Sequence, residues 1–123
     1  MTRWATQSQR PILITEWYAK GEDAETCDNS TGAGFTVGTQ EDRGAFYENF
    51  TIGLLRNPNV IGWHWYRYID KGANMGVLDS TYAPYTALAE SMQKINTKIY
   101  SLSDYLLSDT APLFVDKPES VDE

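Results

Sequence analysis

Glu16 closes the run Pro11-Ile12-Leu13-Ile14-Thr15 and is followed at once by Trp17 and Tyr18. A carboxylate at the end of an apolar segment loses hydration unless it is paired or takes part in chemistry. A second apolar run, Val60-Ile61-Gly62, leads into Trp63-His64-Trp65-Tyr66-Arg67-Tyr68. Aromatic faces stack on the C–H faces of sugars, and a carboxylate attacks or stabilises an anomeric carbon, so these groups suit chemistry at a glycosidic bond. The same residues also suit a hydrogen-bonded structural carboxylate and a packed aromatic core. On strand alternation Trp63 and Trp65 share one face and His64 takes the other. Trp65, nearer the strand end, is the expected sugar platform facing the cleft, and Trp63 is part platform and part filler. His64 is expected to be a structural, hydrogen-bonded residue between strand and helix. Tyr18 and Lys20, beside Glu16, complete the candidate substrate contacts.

These side chains need elements to hold them. The Ile-Leu-Ile run, bounded by Pro11 and a Lys20-Gly21 turn, reads as a strand over 11–17 buried on both faces, as in parallel sheets. Ala19 to Gly38 is rich in Gly, Asp, Glu, Asn, Ser and Thr without periodicity, and loops of that length are usually functional or disordered. Thr39-Gln40-Glu41-Asp42 has the form of a helix N-cap followed by an acidic first turn. Phe46, Phe50, Gly53 and Leu54 recur at helical spacing, with Asp42, Arg43, Glu48, Asn49 and Arg56 on the opposite side. Asn57-Pro58-Asn59 ends that helix before the second strand at 60–66. Beyond Pro84, the stripe Tyr85, Leu88, Ala89, Met92, Ile95 and Ile99 predicts a second amphipathic helix, with Glu90 and Lys94 paired at i,i+4. The expected order is strand, helix, strand, helix over 1–100, and an acidic, poorly ordered tail over 101–123. Two parallel strands and two helices leave sheet edges and one face uncovered, so this reads as the last quarter of a (β/α)₈ TIM barrel, incomplete as a stand-alone α/β domain. Either further chain or other copies are expected to complete it.

Composition narrows the partners. With 123 residues the chain is sized for one modest domain, and 41% hydrophobic and 13% aromatic content excludes a disordered chain. A net charge of -7 argues against nucleic acid and anionic membrane and leaves a neutral polymer or small solute. Cys27 is the single cysteine, so neither an internal disulfide nor a cysteine metal cluster is available. The acidic cluster Glu22, Asp23, Glu25 and Asp28 matches no EF-hand spacing, and Thr31-Gly32-Ala33-Gly34 forms no phosphate-binding motif, so neither metal nor cofactor is expected. Met1-Thr2-Arg3-Trp4-Ala5 lacks the apolar core of a signal peptide, which leaves the compartment open.

The strings Ile14-Thr15-Glu16-Trp17-Tyr18-Ala19-Lys20-Gly21-Glu22-Asp23, Thr31 to Phe35, Thr39 to Tyr47 and Gly62-Trp63-His64-Trp65-Tyr66-Arg67-Tyr68-Ile69-Asp70 closely resemble, in the same order, the C-terminal part of β-agarase-type glycoside hydrolases. These are clan A retaining enzymes. The resemblance runs from about Pro11 to Tyr100 and implies a (β/α)₈ catalytic domain that cleaves β-linked galactan such as agarose. It places Glu16 on the family's nucleophile at the end of the seventh strand and Trp63-His64-Trp65 on the eighth. Retention needs a second carboxylate about 5–5.5 Å away as acid/base. In this clan that glutamate ends the fourth strand, outside this chain, and Glu22, Glu25 and Glu41 are not assigned to the role. The expected function is therefore part of a retaining glycosidase on an oligo- or polysaccharide, inert alone, from a family typically secreted or periplasmic. The alternatives are a non-catalytic carbohydrate-binding or assembly module and a gene fragment without function.

Overall fold

An extended Ile-Leu-Ile segment must find backbone partners outside itself, and the Val-Ile-Gly-Trp segment supplies them. The computed structural model describes residues 2–108. Its elements are α1 (Thr2–Ser8), β1 (Ile12–Trp17), β2 (Ala19–Gly21), β3 (Phe35–Val37), α2 (Gln40–Leu55), β4 (Val60–Trp65), α3 (Thr86–Asn96) and α4 (Ile99–Leu107). β1 pairs with β4 in parallel, with Leu13 opposite Gly62, Ile14 opposite Trp63 and Trp17 opposite Trp65. The chain is thus a mixed α/β unit built on parallel strands joined through a helix.

Local chemistry sets the helix ends. Thr39 Oγ1 accepts from the Asp42 N–H at 3.1 Å while the Asp42 carboxylate accepts from the Thr39 N–H at 3.1 Å, a reciprocal capping box. α2 stops before Asn57-Pro58, as expected. Gly44 lets α2 approach α3 closely, since a Cβ there would lie 2.5 Å from Ser91 Oγ and 3.1 Å from the Ala87 carbonyl. Between the helices and the β1–β4 sheet sits the core of Trp17, Tyr47, Leu88 and Ile95, flanked by Ile14, Phe46, Phe50, Trp63 and Trp65. Trp17 stacks on Phe50 at 4.3 Å and Tyr47 at 5.3 Å between ring centroids. Burying an indole removes roughly 150–250 Å² from water, a gross gain of about 4–6 kcal/mol.

Five expectations change. β1 is not buried on both faces: Leu13 is 48% exposed, and Thr15 and Glu16 are exposed, because helices cover one side only. The segment 19–38 is not without structure, for β2 and β3 pair in parallel within it, Ala19 opposite Phe35 and Gly21 opposite Val37. Three-residue strands fall below any periodicity a sequence can display. Arg43 is not on the solvent side of α2 but fully buried, because neighbouring carbonyls satisfy its donors. Lys94 pairs with Glu48 of α2 at 2.9 Å instead of Glu90, since the packing of α3 on α2 brings that carboxylate within reach. The last helix is two, broken at Thr97-Lys98, with α4 carrying Tyr105-Leu106-Leu107; residues 109–123 of the expected tail lie outside the described residues.

Candidate active site

Regular alternation would put Glu16 on the same face as Ile14, inside the core. The register prevents this. Between the pairs Ile14–Trp63 and Trp17–Trp65, β1 spends two residues, Thr15 and Glu16, against one of β4. This bulge lets Ile14 and Trp17 both pack inward while Glu16 remains exposed at the C-terminal end of the strand. Bulges beside functional sites commonly re-aim a side chain in this way.

Glu16 lines a cavity of about 340 Å³ together with Trp17, Tyr18, Ala33, Gly34, Phe35, Phe46 and Phe50. Its wall is fastened by Tyr18, between β1 and β2, and by Lys20 of β2. Tyr18 Oη accepts the Gly34 N–H at 3.1 Å, and a Cβ on Gly34 would lie 2.3 Å from the Tyr18 ring. Gly32, at φ +85°, sits where only glycine is unstrained. Lys20, buried, donates to the Thr31 and Gly32 carbonyls at 3.3 and 3.1 Å. Tyr18 and Lys20 therefore hold the 31–34 turn against the end of β1. The Trp17 indole N–H is buried without a partner among the described residues, an omission that costs about 1–3 kcal/mol.

The orientation expected for β4 is reversed. Trp63 and Trp65 do share a face, but it is the face toward the helices. Trp65 meets Trp17 edge-on at 5.1 Å, donates from Nε1 to the Met75 carbonyl at 2.8 Å and lies under the Arg43 guanidinium at 5.6 Å. Trp63 Nε1 donates to Tyr47 Oη at 3.3 Å, and that hydroxyl donates to Asn96. Neither tryptophan lines the cavity that Glu16 lines. His64, expected between strand and helix, is exposed instead. The reason is volume: the space between sheet and helices takes large rings, and among the described residues no layer covers the opposite face.

A buried polar cluster that the sequence reading missed stands behind the site. Arg43 donates to the Ala19 carbonyl, Gln40 Oε1 and the Gly76 carbonyl at 2.7–2.8 Å, and faces the Tyr85 ring at 5.1 Å. Burial lowers its pKa to about 10, which leaves it charged at neutral pH. Asp70 accepts from Tyr85 Oη at 2.6 Å, from Asn74 Nδ2 at 3.1 Å and from the Gly76 N–H. Burial, followed by the bond to Asp70, pushes the Tyr85 phenol well above its ordinary range. Asn74, also fully buried, accepts the Gly21 N–H at 2.9 Å on its side-chain oxygen and donates its backbone N–H to Asn29 Oδ1 at 2.8 Å. The cluster ties the exit of β1 to α2, to the 70–76 loop and to the start of α3. Arg43 and Asp70 carried no local sequence signal of burial, and their partners are too distant in the chain to be paired by inspection.

Cys27 borders this cluster, its thiol 3.7 Å from Asp70 Oδ2, and burial and then that carboxylate raise its pKa. Because the thiolate is the reactive form, alkylation by iodoacetamide should set in at higher pH than for a free peptide cysteine. Asp70→Asn should shift the onset back toward lower pH; rates followed by mass spectrometry across pH 7–10 check this, and identical profiles would contradict it.

Among the described residues no group of three or more His, Cys, Asp or Glu could hold a metal ion, and no helix is long and apolar enough to cross a membrane. Asp23 is engaged by the Gln40 N–H at 3.0 Å, and Asp28 by the Ser30 N–H at 3.0 Å.

No protein-family model matches the chain. Two curated relatives do: Beta-agarase B of Vibrio sp. strain JT0107, 28% identical over 103 residues, 76% of this chain and 10% of that protein, and Beta-agarase A of the same strain, 26% identical over 105 residues, 74% and 10%. The chain therefore spans about a tenth of the length of these relatives. Among solved structures, the crystal structure of BpGH50 is 44% identical, covers 86% of this chain with 23% of its own, and superposes with a TM-score of 0.82. An exo-beta-agarase structure, 24% identical over 83% of this chain and 15% of its own, shares the fold with a TM-score of 0.72. Over most of its length, then, this chain is similar in sequence and fold to a part of agarase-type glycoside hydrolases.

Proposed function

We propose that this chain is the nucleophile-bearing part of a retaining β-agarase-type glycosidase of clan A, within the last quarter of a (β/α)₈ barrel, acting on β-linked galactan. The observation that carries the reading is the bulge in β1, which sets Glu16 free of the core at the exit of a parallel strand, beside an aromatic cavity. Similarity to Beta-agarase A and B supports the substrate class. In this reading Glu16 attacks the anomeric carbon and the glycosyl ester is later hydrolysed, while the acid/base comes from outside this chain. Tyr18 and Lys20 serve by holding the turn that walls the site, and Trp63 and Trp65 by supporting the strand behind it.

The test exploits the missing acid. A 2,4-dinitrophenyl 2-deoxy-2-fluoro-β-galactoside has a leaving group that departs without protonation, and its fluorine slows breakdown of the ester. Incubated with the 123-residue chain, it should leave a glycosyl adduct on the peptide containing Glu16, absent from Glu16→Gln. No adduct, or one that persists in Glu16→Gln, would overturn the assignment. Agarose itself should not be turned over by the chain alone. Saccharide-dependent quenching of tryptophan fluorescence without any adduct would favour the non-catalytic carbohydrate-binding module instead.

A further inference from the structure

With Trp65 turned toward the helices, the cavity beside Glu16 needs another flat surface, and Phe35 is the aromatic residue most open to it. Phe35 is 72% exposed and lines the same cavity as Glu16. An exposed phenylalanine at a loop tip would be unremarkable. Phe35 differs in being held: it opens β3, its backbone pairs with Ala19 of β2, and its ring lies 5.8 Å from Phe46, tilted by 44°. Immediately before it, Gly34 is pinned to the Tyr18 hydroxyl and leaves no room for a side chain against the Tyr18 ring. The ring is thus a fixed surface, presented from a strand that the exit of β1 itself anchors. The cavity, about 340 Å³, is of the size that small ligands occupy, roughly 300–1,000 Å³, and it combines apolar rings with one carboxylate.

We infer that Phe35 is the aromatic platform for the sugar ring that lies beside Glu16, with Ala33 and Gly34 as the adjoining wall. The inference rests on the glycosidase reading above and adds the residue that binds the saccharide. A sugar ring placed there would set its C–H face on Phe35 and keep its hydroxyls toward Glu16 and solvent.

Titration of the 123-residue chain with agarose-derived oligosaccharides, followed by ligand-observed NMR, tests this. Phe35→Ala should weaken binding about tenfold, and Phe35→Trp should restore it. Phe35→Leu, which keeps apolar bulk but has no flat face, should bind as weakly as the alanine variant and decides the matter if Phe35→Ala melts early. Equal affinity of wild type and Phe35→Leu would overturn the platform while leaving the Glu16 adduct, and with it the nucleophile reading, intact. A Phe35 variant that alters sedimentation but not saccharide affinity would overturn it too, assigning the ring to contact with another copy. Absence of the Glu16 adduct marks failure of the underlying reading instead.

Discussion

Arg43→Met is expected to destabilise the chain by about 3–5 kcal/mol, measured as a lower urea midpoint by circular dichroism. The guanidinium is fully buried and three of its N–H donors serve the carbonyls of Ala19 and Gly76 and the side chain of Gln40. Methionine matches the volume but leaves those acceptors unpaired in a region closed to water, and an unmet buried polar group costs about 1–3 kcal/mol. Asp70, whose charge favours the protonated guanidinium, would lose that favourable interaction. Arg43→Lys should recover little, because one ammonium cannot span acceptors that lie on β2, α2 and the 70–76 loop. A loss below about 1 kcal/mol for Arg43→Met would show that water replaces the guanidinium and that the cluster is more open than its geometry indicates. Against a typical domain stability of about 5–15 kcal/mol, the expected loss is large enough to populate unfolded chain.

Leu88→Ala is expected to cost about 2–5 kcal/mol, while Leu13→Ala should stay within about 0.5 kcal/mol. Both remove the same atoms. Leu88 is fully buried between α3 and the core, whereas Leu13, on the uncovered face of β1, keeps 48% of its surface in water. Running both variants in urea denaturation distinguishes an open sheet face from a covered one. If Leu13→Ala approached the cost of Leu88→Ala, that face would be occupied, either by another copy or by further chain. A concentration-dependent midpoint would then identify self-association.

The behaviour of Leu13 and Arg43 shows what inspection of a sequence reaches. Both strands of the parallel pair, the N-cap at Thr39, the stop at Asn57-Pro58 and the stripe from Tyr85 to Ile95 were legible, because each depends on residues within a few positions of one another. Glu16 stood out for the same reason, as a charge that breaks an apolar run. The faces of β4 were not legible. Alternation says that Trp63 and Trp65 agree and His64 differs, but which side is covered depends on where α2 and α3 pack. Nor was β2–β3 legible, since Ala19 and Phe35 meet only after the acidic loop has folded back.

By itself, then, the sequence determined the two longer strands, the capped helix between them, the helix after Pro84 and the charge that breaks the first apolar run, because those follow from local backbone preferences and short-range periodicity. The tertiary structure alone decided that a bulge turns Glu16 out of the core, that Trp65 packs inward while Phe35 stays in the open, and that Arg43 can be buried. Each of these depends on groups far apart in the chain meeting at hydrogen-bonding or van der Waals distance. No local rule encodes such meetings, because their free energy exists only once the layers have closed on one another.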